Sequence, residues 1–423
     1  MTITFYKSIK QEIRMKIFFI FFLIFSPAIT TSQVIEYTMP FEDDPHEGTW
    51  LAWPHNFTYP PWWQEDNEPA FIEMVSVLST GENVHIIVYN SEEKEHVENI
   101  LTNANIELEN IGFYIYQTND YWIRDSGPIF VYDSNNNLTI LDFGFDGWGN
   151  DAPYVLDDLI PSLIANDLNI PYIDLNDFIL EGGAFEIDGN GSALLTRSSV
   201  IDRNPELSEQ EIEIYMTTYL GITNFIWLNG TFGGLLDITD MHIDGFAKFS
   251  DANTIVTMSD SDLMYWGLSE EDVETLSFAA DVNNNPYSFI ILPLTQNNVT
   301  TSWGGNVNFK GSYINYYVSN TSVLVPIYND PNDTIALNAI QNIYPNKVVA
   351  GVDCSNMFYE GGMVHCVTQQ QPINLGQSFI NSLNITKKNL IIIVDVLGRE
   401  NTNKGLQLHI YDDGFVEKKY LIK

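Results

Sequence analysis

The sequence predicts a mixed α/β protein: a closed radial array of five similar strand–helix units, with a short leader ahead of it and a small β-domain behind. Three observations point there. Short apolar strands alternate with amphipathic helices five times along the chain. Each unit adds a further segment ending in polar residues, at a repeat of roughly 50–80 residues, which suits repetition about an axis better than an open sheet. Charge falls into three blocks: residues 1–32 hold four basic side chains and one acidic, residues 373–423 seven basic and five acidic, and the stretch between 50 acidic and seven basic.

Composition narrows the function classes. Apolar residues make up 45% of the 423, which is ample for a core and excludes a disordered chain. A net charge of −38 repels phosphate backbones, so nucleic acid is not a partner by this reading. Two cysteines, Cys354 and Cys366, supply neither a disulfide framework nor a four-thiolate zinc site.

The leader, residues 1–32, has the order of a secretory signal: Arg14 and Lys16, an apolar run from Ile17 to Phe25, then small residues up to Ser32. The run is about half the ~20 residues a membrane anchor needs. The pattern is complete from Met15, so the chain can start there or at Met1. Without a cysteine at the cleavage point, a lipoprotein is not supported.

The body spans 33–372. Strand Val84–Tyr89, helix Glu92–Thr102 and strand Phe113–Gln117 form the first unit. Leu138–Phe143, a helix over Val155–Leu168 and Tyr172–Leu175 form the second. Ala193–Thr196, Ser208–Leu220 and Asn224–Leu228 form the third. Thr254–Met258, Ser269–Asp281 and Ser288–Leu294 form the fourth, and Val323–Tyr328, Asp333–Ile343 and Lys347–Gly351 the fifth. Ser208, Ser269 and Asp333 fit the N-cap role. The further segments are Trp122–Val131, Glu181–Ile187, Met241–Phe249, Tyr313–Val318 and Gly361–Val367. In a radial array they converge on the axis, so their polar clusters can share one site.

Those clusters bring together a cysteine, a histidine and carboxylates. A thiolate is a strong nucleophile, and a nearby histidine serves as acid and base. His242 and Asp244, two apart, share a face on a strand. Asp125 and Glu181 add negative charge. Such a ring rejects anions and suits a cation, above all planar guanidinium, which carboxylates grip bidentately. Iron or manganese on His242 and the three carboxylates is the alternative, but it leaves Cys366 without a role. Cys354 reads as inert core, and the double glycines Gly182-Gly183 and Gly361-Gly362 as close packing. Arg124, beside Asp125, reads as its salt-bridge partner. His46, His55, His85, His96 and His409 read as structural.

WIRDSGP, EGGAFEIDGNG, DRNP, MHIDGF, SYINYYV and GGMVHCVTQQQP, in this order between Met39 and Pro372, resemble the agmatine deiminase / bacterial Porphyromonas-type peptidylarginine deiminase family. The resemblance implies the pentein fold, a five-bladed α/β-propeller of ββαβ units. It implies Cys366 as nucleophile, His242 as general acid/base, Asp125 and Asp244 on the guanidinium nitrogens, Glu181 supporting the histidine and the substrate, and Trp122 lining the pocket. The reaction needs no metal or organic cofactor. Two departures concern the group beyond the guanidinium: residues 143–150 lack the lysine of the family's FNAWGGK-like stretch, and Met241 stands where the family has glycine.

The tail, 373–423, resembles a type IX secretion C-terminal sorting domain through Asn389–Glu400, Leu408–Gly414 and Glu417–Lys419, and its alternating strands fit a small β-sandwich. With the leader, it implies a secreted or surface location and the type IX machinery as partner. The body's bases are few (Lys94, Arg124, Arg197, Arg203, Lys248, Lys310 and Lys347), so a substrate carboxylate has no obvious clamp. Glu65, Asp66, Trp62, Trp63 and Trp148 are candidates for a rim that takes an ammonium tail. The reading is therefore agmatine hydrolysed to N-carbamoylputrescine and ammonia, with peptidyl-arginine as alternative. A cysteine peptidase conflicts with the carboxylates, and a non-catalytic arginine-binding module conflicts with the presence of both Cys366 and His242.

Overall fold

The computed structural model describes residues 36–231, 237–376, 390–394, 399, 405–411 and 416–421. The leader expected at 1–32 lies outside them. Within the body, five small sheets repeat one grammar. An inner strand runs antiparallel to a middle strand, which a tight turn permits. The middle strand then pairs parallel with an outer strand, which requires a crossover, and a helix fills it.

In the second blade, Ile129–Asp133 pairs with Leu138–Gly144, helix Ile160–Leu168 crosses over, and Tyr172–Ile179 follows. The third blade is Phe185–Ile187, Ser192–Thr196, helix Glu209–Leu220 and Asn224–Leu228. The fourth is Ala247–Asp251, Thr254–Thr257, helices Asp260–Trp266 and Glu270–Ser277, then Ser288–Ile291. The fifth is Tyr317–Val318, Ser322–Ile327, helix Asp333–Ile343 and Val348–Asp353.

The first blade closes the ring. Its inner strand is the last of the body: Gln369–Pro372 pairs antiparallel with His46–Ala52, which pairs in parallel with Asn83–Val88 and through it with Ile111–Ile115. Trp50 Nε1 donates to Gln371 Oε1 at 2.8 Å across the closure. This is the five-bladed α/β-propeller expected from the sequence. Strand His46–Ala52 and helix Pro61–Leu78 are absent from that expectation for physical reasons. The strand is buried on both faces and shows no period-two polarity. The helix carries Pro69 in its interior, which reads as a breaker.

Capping is partly as expected. Ser208 and Ser269 each form a capping box, with Glu211 and Asp272 respectively. Asp333 is instead the first helical residue. Its carboxylate accepts from Tyr313 O–H at 2.7 Å and from the Asp330 N–H at 2.9 Å, so it braces the preceding loop. The fourth unit carries an additional helix, Asp260–Trp266, ahead of the expected one, which is shorter than expected at Glu270–Ser277; Gly267, left-handed, ends the first before Ser269 caps the second.

The tail strands Leu390–Val394, Gly405–Tyr411 and Val416–Leu421 form one antiparallel sheet. Among the described residues, no helix is long and apolar enough to cross a membrane. What positions the site is the start of each inner strand. Asp125, Glu181, Asp244, Asn315 and Cys366 all lie a few residues before the inner strands that begin at Ile129, Phe185, Ala247, Tyr317 and Gln369. Each blade contributes one polar residue to the axis.

Candidate active site

Cys366 sits in the short helical turn His365–Val367, half-buried, at the wall of a cavity of about 600 Å³. His242 and Asp244 line the same cavity. The Cys366 sulfur lies 3.8 Å from Asp244 Oδ2, and the Asn315 side-chain amide donates to it at 3.4 Å. Asn315 is itself fully buried; its Oδ1 accepts the His365 N–H at 2.9 Å, so one side chain ties the fifth blade to the nucleophile's turn.

His242 is held between two carboxylates. Nε2 bonds Glu181 Oε2 at 2.8 Å, and Nδ1 faces Asp125 Oδ1 at 3.5 Å. Glu181 is fully buried, and its other oxygen accepts Arg203 Nε at 2.9 Å. Arg203 also pairs with Asp240, the residue two before the histidine. Glu181 therefore supports the histidine, as expected, but it does not reach the cavity wall. Burial works against a charged His242, but Asp125, Glu181 and Asp244 together outweigh it, raising its pKa to about 9.

The two aspartates differ although they converge. Burial pushes Asp125 up to about 6, with the charges of Asp244 and Glu181 adding to it; His242 and the Trp148 N–H only partly offset this. Its other donor is the neutral Gly183 N–H at 3.0 Å. Asp244 is buried as deeply, yet it sits below the ordinary carboxylate range. The bond and charge of His365, 2.9 Å from Asp244 Oδ2, outweigh burial there, with His242 and Arg124 assisting. The Cys366 thiol goes the other way: burial, then Asp244 and Asp125, push it well above its usual range.

The double glycines are where backbone must pass close. A methyl group built on Gly183 would lie 2.7 Å from His242 Nδ1, 2.9 Å from Asp125 Oδ1 and 3.1 Å from Asp244 Oδ2. One built on Gly362 would run into the Trp122 ring. Before His242, Asp240 and Met241 both take positive φ, which side chains resist. Asp240 is held by Arg203 and by Ser198 Oγ, which donates to its carbonyl; Met241 by its own N–H to Asp237 Oδ2 at 3.0 Å. The strained turn aims the histidine into the cavity.

Some expectations need correction. Trp122 and Trp148 do not line the cavity. Trp148 is buried and donates its indole N–H to Asp125 Oδ2 at 3.0 Å, which makes it a support for that carboxylate. Trp122 packs on Gly362 and bonds Asp120. Trp62, Trp63, Glu65 and Asp66 ride on helix Pro61–Leu78 and are not in the cavity wall, which is built from Met241, Phe246, Trp266, Phe309, Phe358 and Met363. Arg124 turns away from Asp125, donating to the His365 carbonyl at 3.3 Å and lying 3.9 Å from Glu42. Among the described residues, the donors placed to share a metal ion are Glu42, Glu186 and His365, not His242. The Lys248 ammonium already sits among them, 2.8 Å from Glu42 and 3.1 Å from Glu186.

Asn315, Arg203 and His365 are site residues that pattern reading passes over. The signal for Asn315 was its place in SYINYYV at the position equivalent to Cys366 and Asp125 in their units. Arg203 and His365 act through bonds between segments far apart in sequence.

The geometry predicts that Gly183→Ala leaves the fold intact but displaces His242 or Asp125, cutting kcat/KM at least a hundredfold. Activity within threefold of wild type, with an unchanged melting temperature, would contradict that packing.

The chain matches the model of the Porphyromonas-type peptidyl-arginine deiminase family over residues 38–372. A protein of Latilactobacillus sakei provisionally named an agmatine deiminase is 30% identical over 361 residues, 79% of this chain and 96% of its own. Among solved structures, the agmatine deiminase of Enterococcus faecalis superposes with a TM-score of 0.69 at 26% identity, covering 80% of this chain and 97% of that one. A C. jejuni agmatine deiminase with substrate bound gives 0.67 at 26% identity, with the same coverage. The fold, the ring of inner-strand residues and these matches place the chain in the Porphyromonas-type peptidyl-arginine deiminase family, hydrolases that act on the C–N bonds of amidines.

Proposed function

We propose that the protein is a guanidine deiminase whose substrate is agmatine. The observation that carries it is a nucleophile flanked by buried carboxylates: among the described residues no Lys or Arg lines the cavity beside Cys366, Asp244 and Asp125, and the His242 imidazolium is shared between Asp125 and Glu181, so the site is short of a positive charge. Guanidinium supplies it, since its pKa above ~12 keeps it charged. Asp244 pairs with it at the cavity wall, and Asp125 adds charge from immediately behind. Their field, which holds the empty site's thiol protonated, is then neutralised, and the Cys366 proton leaves to water. The thiolate attacks the central carbon, forming a C–S bond. His242, protonated up to about pH 9, gives its proton to the departing nitrogen, and the C–N bond breaks to release ammonia. The neutral His242 takes a proton from water, hydroxide adds to the thiouronium carbon, and the C–S bond breaks to leave free thiolate and a protonated ureido group, which gives its proton to water.

The rest of the cavity argues for the tail. Among the described residues no Lys or Arg lines it, which leaves a carboxylate without a clamp there. Lys248 is buried in its own network, Arg203 holds Glu181 and Asp240, Arg197 pairs with Glu209, and Lys347 with Asp43. Trp266, Phe309 and Phe358 offer ring faces to an ammonium. A volume of about 600 Å³ is more room than an alkylguanidine fills, and this favours peptidyl-arginine as the second reading.

With agmatine, free arginine and an arginine peptide as substrates of the full chain, ureido product and ammonia are expected fastest from agmatine. The Cys366→Ser variant is expected to be inert and Cys354→Ser active. A kcat/KM for free arginine at or above that for agmatine would overturn the assignment.

The pH profile follows from signs. Asp125 must be ionised, which needs pH above about 6; His242 must be protonated, which needs pH below about 9. Because the Cys366 proton also leaves to water, log kcat/KM is expected to rise steeply below the lower value, to rise with unit slope between the two, and to lose that slope on a basic limb above the higher. A basic limb beginning near pH 6.5 would remove His242 as the proton donor.

Export is part of the proposal. The charged, apolar and small-residue order of residues 1–32 and the strand-rich tail support secretion through the type IX machinery to the surface or medium. A reporter carrying residues 1–32 and 373–423 is expected outside the cell; retention in the periplasm would contradict the tail's role.

A further inference from the structure

Behind Asp244, on the side away from the cavity, lies a row of buried charges that the chemistry above does not use. His365 precedes the nucleophile and is 2% exposed. Its Nδ1 bonds Asp244 Oδ2 at 2.9 Å and its Nε2 bonds Glu42 Oε2 at 2.8 Å. The Lys248 ammonium, 1% exposed, donates to the same Glu42 oxygen at 2.8 Å and to Glu186 at 3.1 Å. The row draws on four distant segments: the loop after Thr38, the inner strands of the third and fourth blades, and the turn before the closing strand.

We propose that His365 is a positioning residue for the deimination: anchored by Glu42 and Lys248, it fixes the Asp244 carboxylate, ionised, against the substrate guanidinium. This rests on the deiminase reading, and two facts carry it. The ring is gripped at both nitrogens, so it cannot rotate without breaking a buried bond. Asp244 shares its bonded oxygen with the space beside the Cys366 sulfur, 3.8 Å away, so any swing of His365 moves the carboxylate relative to the nucleophile.

The contrast with Asp125 shows what the histidine does. Both carboxylates are buried beside each other and His242. Asp125 has neutral hydrogen-bond donors, Trp148 and the Gly183 N–H, and rises to about 6 even with His242 3.5 Å away. Asp244 has His365, with Arg124 beyond it, and falls below the ordinary range despite burial. The groups facing Asp244 are His365, His242, Arg124, Asp125 and Cys366. Without His365 it keeps His242 and Arg124 as cations, but Asp125 stands against it, so its proton affinity should approach that of Asp125.

The test is His365→Asn in the full chain, assayed with agmatine across pH. The expected result is a kcat/KM loss of 10- to 100-fold at pH 7, carried mainly by KM. The acid limb should move to higher pH, so that part of the loss is recovered by raising the pH. Glu42→Gln should move the limb the same way by less, and it stands in should the first variant not fold. A uniform fall in kcat with the acid limb unmoved, or no loss, overturns the proposal. If the wild type turns over no guanidine, the deiminase reading fails first. The positioning claim is then read from alkylation of Cys366, expected to be slower in His365→Asn than in wild type at any pH from 7 to 9, and overturned by equal rates.

Discussion

Everything in this molecule is arranged around negative charge buried where no water can screen it. Asp125, Glu181 and Asp244 are all nearly inaccessible, and the charge of all three acts on one imidazole, His242. Carboxylates so placed are costly unless paired. Glu181 is satisfied by Arg203 and His242, and Asp244 by His365. Asp125 has only neutral hydrogen-bond donors and a share of the His242 charge at 3.5 Å. The unbalanced remainder of that charge makes the empty pocket selective for a cation and keeps the Cys366 thiol protonated until one arrives.

The propeller is what makes the arrangement affordable in chain length. Each inner strand is preceded by a loop or short turn, and five such loops meet without any long insertion. Closing the ring with Gln369–Pro372 against His46–Ala52 places Cys366 three residues before the last inner strand and locks it relative to the first blade. A charge network that draws on segments from Glu42 to His365 can exist only in a closed ring. Its inner face is therefore as much part of the catalytic apparatus as the cavity wall.

Much of this was legible in the sequence, and the limits have physical causes. Helices such as Glu209–Leu220 and Asp333–Ile343 show their period because one face meets solvent. Strand His46–Ala52 has no solvent face and does not show. Cys366, His242, Asp125, Asp244 and Glu181 stand out because their chemistry needs those residue types at repeated positions, and the structure brings them together. The tryptophans mislead by size: an indole suggests a pocket wall, whereas Trp148 uses its N–H to hold Asp125. His365 stands out only as the neighbour of Cys366, and the bonds that give it and Lys248 their roles join segments 62 to 323 residues apart.

The central claim is that the cation completes the site electrostatically, ionising the nucleophile as it binds. The direct measurement is the pH titration of thiolate absorbance, taken as the difference between the protein and its Cys366→Ser variant, with and without saturating methylguanidinium. The account predicts a thiol that titrates above 9 in the empty site and falls by at least a unit when the cation is bound. A thiol already ionised at neutral pH in the empty site, or one indifferent to the cation, would contradict it.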